Sequence, residues 1–269
     1  MKRDQIRASI ASRRNNPVLR CIARGAEKYL RAYNNQRNWD AKFNGEAHAL
    51  RLITSRCEGD IIDVGANEGQ WASMALEAIS DRQLHCFEPA GSNFETLCQN
   101  LGSRPNVVLN QFGLGEETKD IEFNFYPDSP TRSTAFFVED RYKKERISVS
   151  IVRGDDYVSQ KDIHKISFLK IDVEGMEIEV LRGFAGTMKA GKIQAVQFEH
   201  GQYHIITRHF LKDFVDLFRA SHYGVFRILP HGLQALHYDV ESDERFTGEN
   251  FLAVRDDIQR ELRGSLRPG

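Results

Sequence analysis

Several features that would assign the chain to other classes of protein are missing from its 269 residues. No apolar run approaches the roughly 20 residues that span a bilayer, and the N-terminus lacks the apolar stretch and small-residue cleavage site of a secretory signal. The four cysteines, Cys21, Cys57, Cys86 and Cys98, include no CxxC pair. Scattered thiols of this kind predict a reducing, cytoplasmic location, without a disulfide framework or a zinc site.

The charge of the chain is unevenly distributed. Residues 1–42 contain eleven Lys and Arg against three Asp and Glu, a balance of +8, and since the whole chain carries −1 the remainder carries −9. Within the basic segment, apolar residues recur at helical spacing from Pro17 to Tyr33. Three interpretations stay open for this helix: a solvated helix, a helix packed on the domain or on a partner subunit of a homo-oligomer, or peripheral contact with anionic lipid, nucleic acid or a phosphorylated substrate.

After residue 43 the pattern becomes an alternation of apolar strands with amphipathic helices, which predicts an α/β doubly wound sheet with right-handed crossovers. The predicted strands of this sheet are 60–65, 83–89, 106–114, 166–175 and 193–201. Two alternating segments, DIEFNFYP and RISVSIVR, interrupt the pattern as antiparallel strands, and YGVFRILP with NFLAV predicts an antiparallel edge hairpin. The predicted organisation is a helical extension (1–42), a main domain (43–257) and a C-terminal tail (258–269).

The stretch IIDVGANEGQW (61–71) is the first strand end of this sheet, and ligands of such sheets bind at strand ends where the strand order reverses. Gly65 lets the backbone turn sharply, and Gly69 is expected to permit close approach of a ligand. Asp63 and Glu68 place negative charge where a dinucleotide would place its pyrophosphate. The loop therefore favours a ligand with a positive charge and, with no GxGxxG present, argues against an NAD-dependent oxidoreductase.

The following strand ends also carry acidic residues. Glu88 can accept both hydroxyls of an adenosine ribose, or it can simply favour a helix N-terminus. Asp172 and Glu174 emerge from the apolar strand of LKIDVEG, where a carboxylate without a partner is costly and function is favoured. The next strand ends with Glu199 and His200, which are expected to face the same crevice. A ligand with a ribose, no phosphate and a cationic end fits S-adenosylmethionine.

Through these segments the sequence resembles the FkbM family of S-adenosylmethionine-dependent methyltransferases. The resemblance extends in order from about residue 43 to 255 through FNGEAHAL, IIDVGANEG, CFEPAGSNFETLCQNL, FGLG, FLKIDVEGMEIEVLRG, QFEHG, FLKDFVDLF, YGVFRILPHGL and NFLAV. It implies a Rossmann-like class I methyltransferase fold and O-methylation of a sugar, glycolipid or polyketide-type natural product, with S-adenosylmethionine as cofactor.

The resemblance also implies a role for each strand-end residue. Glu88 would hold the ribose, Gly113 and Leu114 would lie against the adenine, and Asp172 would face the methionine end. TRSTAFF (131–137) corresponds to a variable serine-containing loop of the family, with Ser133 and Thr134 at the matching place. The residues expected to bind the cofactor are Asp63, Gly65, Ala66, Asn67, Gly69, Glu88, Pro89, Gly113, Leu114 and Asp172.

Methyl transfer to a hydroxyl is an in-line displacement in which the acceptor oxygen must lose its proton. The candidate bases are Glu174, Glu199 and His200, of which His200 has the best-matched ordinary pKa, although a core histidine is an alternative interpretation. A divalent cation held by Asp172, Glu199 and His200 is a further alternative, while no dedicated metal site is expected. A non-catalytic binding protein also stays open.

The expected partner is a small-molecule or glycan acceptor. Its recognition is predicted to lie in the loop 127–146 and in residues 200–210. Nucleic acid is disfavoured as a substrate, because the sequence has no (D/N)PP(Y/F) box and the main domain is acidic where a phosphate track should be basic.

Overall fold

The predicted alternation of strands and helices is present in the computed structural model, which describes residues 2–79, 82–128, 133–136, 142–262 and 266–267. The chain divides into two compact units, Met1–Asn38 and Trp39–Gly269. None of the described helices combines the length and the apolar content needed to cross a bilayer.

The smaller unit consists of two helices, α1 (Lys2–Ser12) and α2 (Pro17–Tyr33). Asn16 caps α2, because its side chain accepts the backbone N–H groups of Val18 and Leu19. Proline at the first helical position needs no amide partner, so the sequence NP marks this helix start well.

The larger unit contains the alternating elements. In chain order they are α3 (Glu46–Thr54), β1 (Asp60–Val64), α4 (Gln70–Ala78), β2 (Leu84–Phe87), α5 (Gly91–Leu101), β3 (Val107–Asn110), β4 (Gly113–Gly115), β5 (Lys119–Phe125), β6 (Glu145–Arg153), α6 (Gly154–Gln160), β7 (Ile166–Ile171), α7 (Glu177–Gly183), α8 (Ala185–Lys189), β8 (Ala195–His200), α9 (Tyr203–Thr207), α10 (Leu211–Ala220), β9 (Tyr223–Leu229), β10 (Gly232–Ala235), α11 (Val240–Asp243), β11 (Glu249–Arg255), α12 (Asp256–Leu262) and β12 (Leu266–Arg267).

The main sheet of the described chain has the strand order β12-β10-β9-β11-β8-β7-β1-β2-β3. The strands β3, β2, β1, β7 and β8 pair in parallel. The chain therefore builds outward in one direction from β1 and then in the other from β7, which puts the switch point between these two strands. This is a doubly wound α/β sheet with its switch point between β1 and β7, so the predicted doubly wound architecture is confirmed.

The antiparallel pairing predicted for the last two segments is confirmed, but their position differs from the prediction. β11 pairs antiparallel with both β8 and β9 and is therefore an interior strand. The hairpin nearest the edge is formed by β9 and β10. β11 lies inside because four consecutive residues, Phe251–Val254, are all buried, and a strand that is apolar on both faces needs cover on both.

A second sheet has the order β4-β6-β5. The predicted antiparallel pair is β5 with β6, and β4 adds to β6 in parallel. The prediction of a single strand over 106–114 is wrong. β3 ends at Asn110, and β4 belongs to the second sheet.

Two hydrophobic cores cover the two faces of the main sheet. One contains buried residues of α3, α4, α5 and α12, and the other contains residues of α6, α7, α8 and α10. In the second core, the Phe198 ring stacks on the Phe214 ring with centroids 4.7 Å apart. Part of the predicted C-terminal tail belongs to the first core, because Ile258 and Leu262 of α12 are buried at helical spacing.

Candidate active site

The switch point brings the predicted strand ends to one edge of the sheet. β1, β2, β7 and β8 run parallel, so the loops that follow them open at the same carboxyl edge. In the register of the sheet, Asp63 lies beside Lys170, and Lys170 lies beside Gln197. Residues that are distant in sequence therefore share one site.

The turn after β1 depends on a glycine. Gly65 has a φ of +82°, and a Cβ there would lie 1.9 Å from the carbonyl oxygen of Asp172. The N–H groups of Gly65 and Ala66 donate to the carbonyl of Phe87 at 3.0 and 2.9 Å. The turn is thus held between the ends of β2 and β7.

Gly69 also has a structural role, at the contact between two helices. A Cβ at this position would lie 2.8 Å from Cδ1 of Leu97 and 3.0 Å from Cδ1 of Leu101. Both leucines belong to α5, so the missing side chain allows the start of α4 to pack against that helix. Its φ of +90° is a second reason for glycine.

A buried lysine that was not among the predicted site residues lies between two predicted ones. The Nζ atom of Lys170 is 3.1 Å from Oδ1 of Asp63 and 3.4 Å from Oδ2 of Asp172. The ammonium also lies 5.6 Å from the ring centre of Trp71, within cation–π range. Burial alone would lower the pKa of Lys170, but the neighbouring carboxylates outweigh burial and raise it, so the lysine is charged.

Lys170 changes the interpretation of the acidic loop. Asp63 is fully buried, and its Oδ1 atom is bonded to Lys170, so it does not present a bare charge to the surface. Its Oδ2 atom is buried and finds no hydrogen-bond partner within the described ranges. Of the two carboxylates that contact Lys170, Asp172 is the partly exposed one, since its side chain is 39% exposed. A lysine inside the apolar run ISFLKI is the sequence signal for this arrangement, because such a lysine needs a carboxylate.

Glu88 closes the other side of the loop. Its Oε2 atom accepts the N–H of Asn67 at 3.0 Å, and its Oε1 atom accepts the N–H of Ala90 at 2.9 Å. Burial, only partly offset by these donors, raises the pKa of Glu88 to about 7. The Asn93 side chain also bonds this carboxylate, which leaves acceptor capacity for about one further donor. Asn67 has a φ of +49°, and its Oδ1 atom is buried without a hydrogen-bond partner in the described chain.

The two residues expected beside the adenine, Gly113 and Leu114, have different surroundings in the structure. Gly113 adjoins Pro89, since a Cβ on Gly113 would lie 3.8 Å from Cγ of Pro89. The Leu114 side chain, in contrast, is 2% exposed and packs in the second hydrophobic core. The predicted contact of Leu114 with the adenine would therefore have to be made by its backbone.

The loop after β7 is bound to the segment around residue 134. Glu174 has a φ of +53°, and its carbonyl accepts the Thr134 hydroxyl at 2.7 Å. The Ser133 side chain is held in position as well, because its hydroxyl accepts the N–H of Tyr126 at 3.2 Å. Of the predicted loop 127–146, residues 129–132 and 137–141 lie outside the described residues.

Glu199 and His200 do not face the same crevice, because successive side chains of a strand point to opposite faces. The His200 ring lies 5.9 Å from the ring of Phe214, in the second core, and its Nε2 atom is 3.3 Å from the carbonyl of His209. Burial lowers the pKa of His200 to about 4, so it is a neutral core histidine at physiological pH. The set of Asp172, Glu199 and His200 proposed for a cation is consequently not assembled.

Glu199 lies on the face that carries the other carboxylates of the site. Across the ranges that the structure describes, its carboxyl group has no hydrogen-bond or ion-pair partner. Burial raises the pKa of Glu199, and the charges of Asp172, Glu177 and Glu46 raise it further. No group of three or more His, Cys, Asp or Glu in the described residues is placed to hold a metal ion.

Glu177 and His204 form a buried ion pair and were not among the predicted site residues. Glu177 Oε2 lies 2.8 Å from His204 Nε2. The same carboxylate accepts the N–H of Val173 and the N–H of Gly175, each at 3.0 Å. The protonated His204 in turn donates its Nδ1–H to the carbonyl of Gly201 at 3.3 Å. The pair therefore joins the loop after β7 to the loop after β8.

Glu46, in the FNGEAHAL segment, is a further buried acid that was not predicted. Its carboxylate accepts the side-chain amides of Gln197 at 2.6 Å and of Asn250 at 3.3 Å. These bonds tie α3 to β8 and β11. Burial raises the pKa of Glu46, while the charge of Lys170 lowers it by a smaller amount.

This site coincides with a family match. Residues 63–231 match the model of the methyltransferase FkbM domain, which is more than half of the chain. The chain belongs to the FkbM methyltransferase family. S-adenosylmethionine is the methyl donor of that family, and the match argues against the alternative of an NAD-dependent oxidoreductase.

Characterised relatives of this FkbM domain match over part of their length. The hexuronic acid methyltransferase AglP of Haloferax volcanii is 27% identical over 160 residues, which cover 58% of this chain and 64% of AglP. The 31-O-demethyl-FK506 methyltransferase FkbM of Streptomyces tacrolimicus is 29% identical over 180 residues, which cover 52% of this chain and 69% of that protein. The chain thus spans less than two thirds of AglP. A solved structure of methyltransferase FkbM from Methylobacillus flagellatus is similar with a TM-score of 0.45 and 15% identity, over 75% of this chain and 47% of that one.

The polar atoms at the carboxyl edge fit S-adenosylmethionine, which brings an ammonium, ribose hydroxyls and a sulfonium. Unused acceptors are present on Asp63 and Asn67, both buried. Glu88 keeps acceptor capacity for about one hydroxyl donor, and Asp172 adds a partly exposed negative charge. A buried acceptor without a donor is costly, so these atoms favour a ligand that donates hydrogen bonds.

Proposed function

We propose that this FkbM family member transfers a methyl group from S-adenosylmethionine to a hydroxyl of a sugar, glycolipid or polyketide-type natural product. The observation that carries the proposal is the surplus of unpaired acceptors and carboxylates around Lys170 at the switch point. The names of the relatives support the acceptor class, since one acts on a hexuronic acid and another on an FK506 precursor.

Binding of the cofactor is assigned to residues on three loops. Asp63, Asn67 and Asp172 supply hydrogen-bond acceptors for the amino-acid portion of the cofactor. Glu88 supplies an acceptor for its ribose. When bound, S-adenosylmethionine supplies a methyl group activated by the adjoining sulfonium. Lys170 holds Asp63 and Asp172 in fixed positions, which preorganises the site before any ligand enters.

Glu199 is the proposed general base. Its carboxyl group lies at the carboxyl edge without a partner in the described chain, and its raised pKa brings it closer to the proton affinity that a base needs near neutrality. Glu174, on the strained turn after β7, is the second candidate. The buried position of His200 in the second core, on the opposite face of β8, argues against the same role for this residue.

Calorimetric titration of the purified chain with S-adenosylmethionine tests the cofactor assignment. Asp172→Asn should weaken binding by about tenfold, the equivalent of one charge-assisted contact. The control Glu95→Gln, which alters an exposed residue of α5, should leave the affinity unchanged. A wild-type chain that does not bind the cofactor would overturn the proposal.

Release of S-adenosylhomocysteine from the wild-type chain, screened against uronic-acid oligosaccharides, glycolipids and macrolides, tests the acceptor class. With an accepted substrate, Glu199→Gln should lower turnover by about 10²- to 10⁴-fold, the usual contribution of a general base. Turnover of Glu199→Gln equal to that of Glu95→Gln would remove Glu199 from the mechanism.

A further inference from the structure

Helix α2 carries an apolar face that nothing in the described part of the chain covers. None of its residues is buried. Its large apolar side chains that are between 53% and 74% exposed are Val18, Ile22, Tyr29, Leu30 and Tyr33. At 100° per residue these positions fall within an arc of about 120°, the width of a complete apolar face.

The opposite face of α2 is basic. Arg20, Arg24, Lys28 and Arg31 fall within an arc of about 80° that lies diametrically across from the apolar one. Residues 1–38 as a whole contain ten Lys and Arg against two Asp and Glu. Helix α1 adds two exposed isoleucines, Ile6 and Ile10, one turn apart among further arginines.

We propose that the Met1–Asn38 unit binds the surface of an anionic lipid bilayer, with the apolar face of α2 inserted at the headgroup level. A basic amphipathic helix binds such a surface through the sum of its buried apolar area and its charge. Tyr29 and Tyr33, whose rings stack with centroids 6.2 Å apart, have the amphipathic side chains that favour the lipid–water boundary.

The charge distribution favours lipid over two other occupants of this face. A second copy of the chain would bring two units of net charge +8 together, and their repulsion opposes association. A nucleic acid would use the basic residues, but it has no need of an uninterrupted apolar face five side chains long. An anionic bilayer makes use of both the apolar face and the positive charge of this unit. The proposal is independent of methyl transfer, since this unit contributes none of the active-site residues.

Flotation of the full chain with lipid vesicles tests the proposal. One set of vesicles contains phosphatidylcholine alone, and the other contains added phosphatidylglycerol. The wild-type chain should float with the anionic vesicles and not with the neutral ones, and high salt should release it because screening weakens the attraction.

Variants separate the two faces. Ile22→Asn with Leu30→Asn should reduce partitioning more than tenfold, whereas Val240→Asn, which alters an equally exposed residue of the larger unit, should have no effect. Arg20→Gln with Arg24→Gln should reduce it by about fivefold for each charge removed, and circular dichroism in the absence of lipid should show that helicity is retained.

Three results would overturn the proposal: no flotation of the wild-type chain, equal flotation with both kinds of vesicle, or flotation unaffected by the Ile22 and Leu30 substitutions. Light scattering provides a further test. A stable dimer that dissociates in the Ile22→Asn and Leu30→Asn variant would assign the face to a second copy of the chain instead of lipid.

Discussion

Replacing Glu177 with glutamine should destabilise the larger unit far more than the same replacement on the surface. Glu177 is 1% exposed, and its two oxygens accept the N–H groups of Val173 and Gly175 and face His204 at 2.8 Å. Glutamine keeps one acceptor oxygen and places an NH₂ group opposite a donor. We expect the free energy of unfolding to fall by about 3–5 kcal/mol, the usual cost of removing one partner of a buried ion pair.

Thermal unfolding followed by circular dichroism measures this loss. For a unit of this size 1 kcal/mol corresponds to roughly 2–4 °C, so the Tm of Glu177→Gln should fall by about 10 °C. The matched control is Glu117→Gln, which breaks an exposed pair with Lys119 at 3.1 Å. Surface pairs are worth about 0–1 kcal/mol, so the control should stay near the wild-type Tm. Equal losses of Tm in the two variants would refute the reasoning.

The pH dependence of the same variant provides a second test. Burial lowers the pKa of His204, but the charge of Glu177 outweighs burial and raises it. The stability contributed by a histidine with a raised pKa is fully present below its unfolded value of about 6.5 and is lost as the pH rises through its folded value. The gap in unfolding free energy between wild type and Glu177→Gln should therefore narrow above neutral pH. A gap that widens as the pH rises would contradict the assignment.

Three other substitutions test the site. Lys170→Met should lower the free energy of unfolding by about 3–5 kcal/mol in urea denaturation, because Asp63 is left buried without its counter-charge, and adding Asp63→Asn should restore part of the loss. Gly65→Ala should lower Tm and soluble yield, since the new Cβ would overlap a carbonyl oxygen, whereas Gly25→Ala, which meets nothing within 4 Å, should stabilise α2 by up to about 1 kcal/mol. Glu88→Gln should weaken calorimetric binding of S-adenosylmethionine by about tenfold through the loss of one acceptor, and unchanged affinity would remove Glu88 from the ribose site.

The parts of the fold that follow from local pattern were predictable from the sequence. β1, β2, β7 and β8 are short apolar runs, each followed by a helix, and only parallel crossovers satisfy that spacing. The position of β11 was not predicted, although its run of four buried residues distinguishes an interior strand from an edge strand. The chain order alone places it after β9 and says nothing about insertion between neighbours.

The site was predicted less completely than the fold, because partners in a buried pair come from distant parts of the chain. Lys170 and Glu177 both stand in the LKIDVEGME segment, yet their partners can be identified only when the strands are placed in register. His200 was wrongly placed in the crevice beside Glu199, although the period of two in a strand already separates them. The basic N-terminal helix, the acceptor and the cellular location stay predictions.

The carboxyl groups around Lys170 outnumber its single positive charge, and this imbalance suggests how binding of the cofactor changes the protonation of Glu199. Lys170 interacts with Asp63, Asp172 and Glu46, and Glu199 adds a fourth carboxyl group to the same region. One ammonium cannot balance four neighbouring carboxylates, and burial raises the pKa of both Glu46 and Glu199, which therefore keep a proton more readily. A cationic ligand at this edge supplies the missing positive charge and lowers those pKa values. Glu199 would then be ionised, and able to take a proton from an acceptor hydroxyl, chiefly when the methyl donor is in place.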